Sequence, residues 1–393
     1  MSRSYFVGAG LHTCLGQDVS SNIDALFGPP PGPVAVPVRA GPVDATASAL
    51  LLKDRPLVDI ENRLEPVLET VCAEALETAG LTAAERADTV LLLGSSSVDI
   101  SRSEAIYQRE LAAGLDAYPL VDNNNLGRMA ERLRRRFGLG GPDYTVSTAC
   151  TASANALVYG DALIRTGRAR HALVVSSESF NVITALGFRS LNLVSRTGAM
   201  RPFDDARGGL IPGEGCGALV VSGARRNGAG AAPLAGSGFH LRGAANLCDI
   251  FGMSAANPDG STVLDVIQKA LHAADVAPGR ISGIKTHGTA SLLNDEAEAA
   301  GMARAFAVVP PLCALKPFIG HTFGACGLNE LILFCGLMER GFFPAVPGVC
   351  ARPGDLGVSL FQTPQAMDPG VFMLNYFGFG GNNTSLVIAN VDD

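Results

Sequence analysis

The segment TVSTACTASANAL (residues 145–157) sets Cys150 where a β-type run gives way to small residues of helical character. A thiol at a helix N-terminus gains from the positive end of the helix dipole and from unpaired backbone N–H groups, and both favour the thiolate. Thr148, Ala149, Thr151, Ala152 and Ser153 would let a substrate approach the sulfur closely. The plainer reading of Cys150 is a free cysteine buried as a small apolar group, and this segment alone does not choose between the two.

Four further segments carry side chains suited to chemistry. IKTHGTASLLNDEAE (284–298) places His287 at the end of a strand, before a glycine turn and an acidic helix start. ALKPFIGHTFGACGL (314–328) places His321 between glycine and threonine, five residues after Lys316. An isolated loop histidine is more often a structural hydrogen-bonder than a catalyst. NYFGFGGNN (375–383) has the glycine density that lets backbone approach a ligand closely. A phosphate-cradling role fails there, because no G-x-x-x-x-G-K-[ST] occurs in the chain and no helix pattern follows. RPFDDARGGLIPGEGCGA (201–218) reads equally as a structural ion-pair corner.

These segments need a scaffold, and the sequence describes one. Short β-branched runs recur at residues 89–93, 143–147, 172–176, 218–221, 281–286, 371–374 and 385–388. Helix-period stretches at 64–79, 126–136, 152–165, 263–274 and 329–338 lie among them. The alternation predicts an α/β protein with a buried, mostly parallel sheet. A charged, then Gly/Ala-rich stretch at 224–232 reads as a linker dividing the chain into 1–228 and 229–393. Each part opens with a strand-like segment running into glycine (5–10 and 234–238), which hints at an internal repeat. Residues 28–50, rich in Pro and Ala, read as a surface loop.

Composition narrows the function. Only 17% of residues are charged, below the usual ~25%, which points to a large core or a buried interface. Thirty Lys and Arg against 37 Asp and Glu give −7, which excludes nucleic-acid binding by bulk charge. The longest apolar runs, such as 331–335, fall far short of the ~18–20 residues that span a bilayer, so no membrane insertion is expected. The first residues show no basic region followed by a long apolar stretch, so no secretory signal is read there. Nine cysteines, none as C-x-x-C and none with zinc spacing, read as reduced thiols in a cytoplasm.

Together and in this order, the five segments resemble the β-ketoacyl–acyl-carrier-protein synthases, the elongating, decarboxylating condensing enzymes of the thiolase superfamily. The family's cysteine motif is matched at residues 148–153, its R-P-F-D…G-E-G signature at 201–204 and 213–215, and its H-G-T at 287–289. Its K…G-H-T is matched at Lys316 and 320–322, and its F-G-F-G-G turn at 377–381. The resemblance runs from about residue 85 to the end. It implies the thiolase fold, five layers α-β-α-β-α built from two similar halves. The first half would carry the nucleophile, the second the two histidines and the gate turn.

The resemblance also implies roles. Cys150 would take an acyl group from a thioester. His287 and His321 would hold the malonyl thioester carbonyl, support loss of CO₂ and stabilise the enolate. Lys316 would orient the site, tied to Glu330, with Asp295 and Glu298 bracing the same network. Phe379, in a turn with Gly378 and Gly380, would form the gate, and its backbone N–H with that of Cys150 would form an oxyanion hole. Thr289, Ser291, Thr322 and Tyr376 would line the substrate site. The partner would be an acidic acyl carrier protein bearing its substrate on phosphopantetheine, with no metal or other bound cofactor. Arg196 and the arginines of one helix (Arg128, Arg132, Arg134, Arg135, Arg136) are docking candidates, although that run reads equally as a solvated helix face. A homodimer, or a heterodimer with a homologous ketosynthase-like subunit, is expected.

The chain departs from the family pattern in places. Ser291 replaces the last threonine of H-G-T-x-T, Tyr376 and Asn382 replace serine and threonine in N-S-F-G-F-G-G-T-N, and Cys326 stands within G-A-C-G, where it reads as packing. These departures point to polyketide, polyene or other specialised biosynthesis rather than housekeeping fatty-acid elongation. The competing readings are a non-catalytic partner, which the retained Cys150, His287, His321 and Lys316 oppose, and an acyltransferase or thioesterase without condensation.

Overall fold

The computed structural model describes residues 3–40, 43–114, 127–226, 233–236, 238–346, 348–349, 356–358 and 360–392. In chain order its first strands are β1 (Ser4–His12), β2 (Val34–Ala40), β3 (Val43–Ala49), β4 (Thr89–Gly94), β5 (Asp143–Val146), β6 (His171–Glu178) and β7 (Gly215–Ser222). Then come β8 (His240–Cys248), β9 (Ile281–Lys285), β10 (Leu312–Cys313), β11 (Phe342–Phe343), β12 (Gln365–Ala366), β13 (Val371–Phe377) and β14 (Asn382–Ala389).

Ten of these strands form two sets of five with the same order. One runs β5-β4-β6-β7-β1 and the other β10-β9-β13-β14-β8, joined edge to edge by a two-residue contact between β1 and β8. Pair directions match as well. The β4–β5 and β4–β6 pairs are parallel, as are β9–β10 and β9–β13. The β6–β7 and β1–β7 pairs are antiparallel, as are β13–β14 and β14–β8. The sheet is therefore mixed rather than mostly parallel. Its strands lie buried on both faces, which gives the apolar runs of a parallel sheet whatever the strand direction.

Side-chain alternation shows the layers. Along β4, Val90 and Leu92 enter a central core while Leu91 and Leu93 enter an outer one. Along β13, Phe372, Leu374 and Tyr376 join the central core, and Val371, Met373 and Phe377 join the opposite outer core. Helices Ala152–Arg165 and Cys326–Glu339 occupy the centre. Helices Ile60–Ala79 and Arg128–Arg136 cover one outside, and Ser261–Ala274 and Leu292–Ala305 the other. The result is the α-β-α-β-α thiolase fold. Cys326–Glu339 is buried along almost its whole length, as its apolar composition all round requires of a central helix.

Three sequence expectations need correction. Within residues 28–50, a β-hairpin (β2 and β3) replaces much of the expected loop. Its Pro content misled, because each strand of a two-stranded ribbon is an edge and tolerates Pro37. The strand expected at 234–238 begins later, as β8 at His240. Helices Ile100–Ala112 and Val182–Ser190 were not foreseen. The division after residue 228 and most of the 224–232 stretch lie outside the described residues, as does residue 126 of one expected helix. Among the described residues no helix is long and apolar enough to cross a membrane.

Candidate active site

Cys150 sits in the turn between β5 and helix Ala152–Arg165. Its neighbour Ala149 adopts φ 51°, a strained conformation for a residue with a Cβ. The Thr151 N–H donates to the Thr148 carbonyl (3.3 Å) and the Ala152 N–H to Ala149 (3.1 Å), closing the turn. Cys326 Sγ donates to the Cys150 carbonyl at 3.0 Å from behind. The two central helices touch there because Gly327 has no side chain: a Cβ would lie 2.4 Å from the Ala154 nitrogen. Burial pushes the Cys150 thiol up to about 12, against the pull of Lys316 and the backbone N–H groups of Phe379 and Cys150 itself. Those two N–H groups thus face the sulfur, where an oxyanion would form.

His287 lies two residues beyond the end of β9 and is buried. The N–H groups of His287 and Gly288 donate to Glu298 (2.8 and 2.9 Å), and those of Thr289 and Phe203 to Asp295 (3.1 and 2.8 Å). Lys316 Nζ donates to the His287 carbonyl at 2.7 Å, faces His287 Nδ1 at 3.3 Å and lies 2.7 Å from Glu330 Oε1. An ammonium only donates, so Nδ1 accepts and the His287 proton resides on Nε2.

His321 reaches the same arrangement by another route. Its N–H donates to Ile211 (2.7 Å) and its carbonyl accepts from Gly213 (2.9 Å), so the segment carrying G-E-G holds its backbone. The contact needs glycine on both sides, since a Cβ on Gly213 would stand 2.1 Å from the Ile319 carbonyl oxygen and one on Gly320 2.8 Å from Gly213 Cα. His321 Nδ1 accepts the Phe323 N–H at 3.2 Å, which again leaves the proton on Nε2. The two rings lie 5.5 Å apart, near perpendicular. Burial, then the positive charge of Lys316, holds both imidazoles well below the usual histidine range. Two neutral N–H donors therefore line one cavity with a thiol.

The gate turn is pinned on three sides. The Gly378 N–H donates to Asn382 (2.9 Å) and the Gly380 N–H to Met253 (2.7 Å). With its two flanking glycines bonded in this way, the turn offers the Phe379 N–H to the sulfur. The Phe379 ring stacks on Phe188, with centroids 5.0 Å apart at 11°. Asn382 Oδ1 accepts from Thr151 Oγ1 (2.7 Å), Asn155 Nδ2 (2.9 Å) and Asn246 Nδ2 (2.7 Å), which ties the turn to the cysteine's helix. Gly381 has φ 76°, and a Cβ there would fall 1.9 Å from the Asp249 carbonyl oxygen. Gly381→Ala must displace the turn and with it the Phe379 N–H. One lost hydrogen bond to a thiolate, about 1.4 kcal/mol, slows iodoacetamide labelling of Cys150 about tenfold, as peptide mass spectrometry will show.

The cavity measures about 300 Å³ and is lined by Cys150, His287, His321, Thr289, Ser291, Gly378 and Phe379 among others. Thr322 and Tyr376 were expected there and do not line it. The Thr322 hydroxyl accepts from Asn329 on a central helix (3.4 Å). Tyr376 points to the face of β13 opposite Phe377, into the central core. Arg196 is bonded to Asn192, a cavity-lining residue. Arg134, Arg135 and Arg136 are paired with Asp143, Glu131 and Glu69 and do not line the cavity.

Sequence reasoning missed Phe188, Asp249, Glu178 and Lys285. Glu178 accepts N–H groups from Ser96 (3.1 Å), Ser97 (3.2 Å) and Gly324 (2.9 Å), bracing the segment after His321. An acidic residue closing the apolar run of β6 and a lysine closing that of β9 were the available signals, since a buried strand seldom ends in an unpaired charge.

Two family models match the chain: Beta-ketoacyl synthase, N-terminal domain, over residues 40–227, and Beta-ketoacyl synthase, C-terminal domain, over residues 239–349. The 3-oxoacyl-[acyl-carrier-protein] synthase II, chloroplastic, of Arabidopsis thaliana is 31% identical over 269 residues, covering 64% of this chain and 48% of that protein. The tetracenomycin polyketide synthase ketoacyl synthase alpha subunit of Streptomyces glaucescens is 33% identical over 219 residues, covering 53% of this chain and 50% of that protein. The chain spans about half the length of these curated relatives and a far smaller share of other polyketide synthases that it matches. Among solved structures, the ketosynthase (ApeO) in complex with its chain length factor (ApeC) from Xenorhabdus doucetiae superposes with TM-score 0.85 at 25% identity, covering 99% of this chain and 98% of that one. Shared motifs, layered sheets and family models agree: the chain belongs to the β-ketoacyl synthase family.

Proposed function

We propose that this chain is a decarboxylating β-ketoacyl–acyl-carrier-protein synthase of polyketide-like or fatty-acid-like biosynthesis, acting in the cytoplasm. One observation carries the reading: Cys150 shares its cavity with two imidazoles, each of which has its Nδ1 occupied by a donor and its Nε2 proton free to give. The Cys150 thiolate attacks an acyl thioester, the N–H groups of Phe379 and Cys150 hold the tetrahedral oxyanion, and the carrier thiolate leaves with the thiol's proton. A malonyl thioester then enters with its carbonyl oxygen against His287 and His321. The bond to its carboxylate breaks, CO₂ departs, and the electron pair forms an enolate held by the two N–H donors. The enolate carbon attacks the acyl-Cys150 carbonyl, and the Cys150 thiolate leaves and takes up a proton. Carboxylates in place of the imidazoles would oppose the enolate's charge.

The division into residues 1–228, carrying the nucleophile, and 229–393, carrying both imidazoles and the gate turn, belongs to the same proposal. So does a carrier protein docking beside Arg196, which adjoins a lining residue, rather than along the internally paired arginines. A heterodimer is the second reading, favoured by the similarity to a ketosynthase solved with its chain length factor. Intact-mass analysis after incubation with a panel of acyl carrier thioesters tests both. A gain of one acyl group in the wild type, absent from Cys150→Ala, supports the nucleophile. A gain that occurs only when a homologous subunit is co-expressed supports the heterodimer. No gain under either condition overturns the proposal.

A further inference from the structure

Lys285 closes β9 with a fully buried side chain. Its Nζ lies 2.6 Å from Glu330 Oε2, 2.9 Å from the Asn375 carbonyl oxygen and 3.5 Å from the centre of the Tyr376 ring. Three acceptors lie against it, which is the environment of an ammonium. Glu330 is equally buried and gives its other oxygen to Lys316 at 2.7 Å. Two cations therefore share one carboxylate behind His287. Tyr376, where the turn motif departs from the family, supplies the ring against which Lys285 lies.

We propose that Lys285 is a positioning residue: by taking one oxygen of Glu330, it divides that carboxylate between two ammonium groups, so that more of the positive charge of Lys316 acts on His287 and Cys150. The inference rests on the condensing reading above, since the thiolate and the enolate are the charges it would serve. The groups facing Lys285 are Glu330 and Cys326 from one central helix, Lys316, Cys313 from β10, Tyr376 from β13, Glu298, and the two imidazoles. Burial draws Lys285 below an ordinary lysine, with Glu330 opposing, whereas Glu330 and its neighbours hold Lys316 above one.

Removal of a cation and loosening of the core predict different shifts. Without the charge of Lys285, every nearby group holds its proton more tightly, so the Cys150 thiol and both imidazoles all titrate at higher pH. Loosening lets in water and relieves desolvation, which raises the imidazoles but lowers the thiol. The thiol therefore separates the two.

The experiment measures iodoacetamide alkylation of Cys150 against pH by peptide mass spectrometry, with the exposed Cys248 in the same sample as reference. Lys285→Met moves the Cys150 profile up by about half to one pH unit, which is about three- to tenfold slower labelling at a fixed pH below the midpoint. Lys285→Gln, which keeps an N–H donor for Glu330 without the charge, gives the same upward shift and serves if the first variant fails to fold. Tyr376→Phe keeps the ring and removes a hydroxyl that has no hydrogen-bond partner among the described residues, so its profile stays in place. A Cys150 profile that is unmoved or lowered in both lysine variants, or a shift in Lys285→Met alone, overturns the inference while leaving the condensing reading intact. Failure of wild-type Cys150 to alkylate overturns both.

Discussion

Cys150→Ala abolishes condensation, with a loss on the order of 10⁶-fold, the scale at which removing a covalent nucleophile acts. It retains CO₂ release from a malonyl carrier thioester. The asymmetry follows from where the groups sit. His287 is held by Glu298 and Lys316, and His321 by Ile211, Gly213 and Phe323. None of these contacts passes through the Cys150 side chain. Alanine also fits without strain, because the position borders a cavity and the neighbouring φ of 51° already belongs to an alanine. Intact mass and CO₂ release on one preparation check the pair of outcomes. Unchanged condensation would remove Cys150 from the mechanism, and loss of CO₂ release would mean that the thiol helps to seat the malonyl group. A thioesterase or simple acyltransferase would release no CO₂ even as the wild type.

The motif residues were legible because each is a local necessity. Glycine at 213 and 320 lets two backbones meet, and a strand-to-helix turn of small residues presents a thiol to the cavity. The five-layer order was legible only through resemblance. Apolar strands buried on both faces look alike whether parallel or antiparallel, which is why the mixed sheet read as a parallel one. Site details set by tertiary contacts were not legible. The N–H groups that flank Phe379, those of Gly378 and Gly380, are taken by Asn382 and by Met253, the latter far off in sequence. Tyr376 looked like a pocket residue because it adjoins Phe377, yet successive residues of a strand face opposite sides. Lys285 and Glu178 passed as ordinary strand ends because their partners lie 45 residues or more away.

The R-P-F-D…G-E-G segment shows how positioning is divided. Phe203 and Thr289 both donate to Asp295, which joins this segment to the first histidine's loop. The Gly213 N–H and the Ile211 carbonyl clasp the second histidine. Glu214 is itself fixed by the buried Arg63 and by the N–H groups of Leu52 and Phe180 (both 2.8 Å). One segment thus spaces two imidazoles that come from separate loops of the C-terminal half.

His321→Ala reduces CO₂ release by about 10²- to 10³-fold, the cost of deleting one of two preorganised donors to a developing oxyanion, while Cys150 still becomes acylated. Acylation survives because the groups facing the sulfur are the Phe379 and Cys150 N–H groups and Lys316, none of which belongs to His321. The wild type should also keep its CO₂-releasing rate as the pH falls through 6.5. Both imidazoles are depressed well below that value by burial, so the neutral, donating form persists there and is lost only at markedly lower pH. An acid limb centred near 6.5 would mean that water reaches the rings. His321→Asn, which offers an N–H donor of similar reach, should recover part of the lost rate without restoring any base. If His321→Ala fails to acylate Cys150 and the asparagine variant fails as well, His321 is the base that takes the thiol's proton, and the enolate must rest on His287 alone.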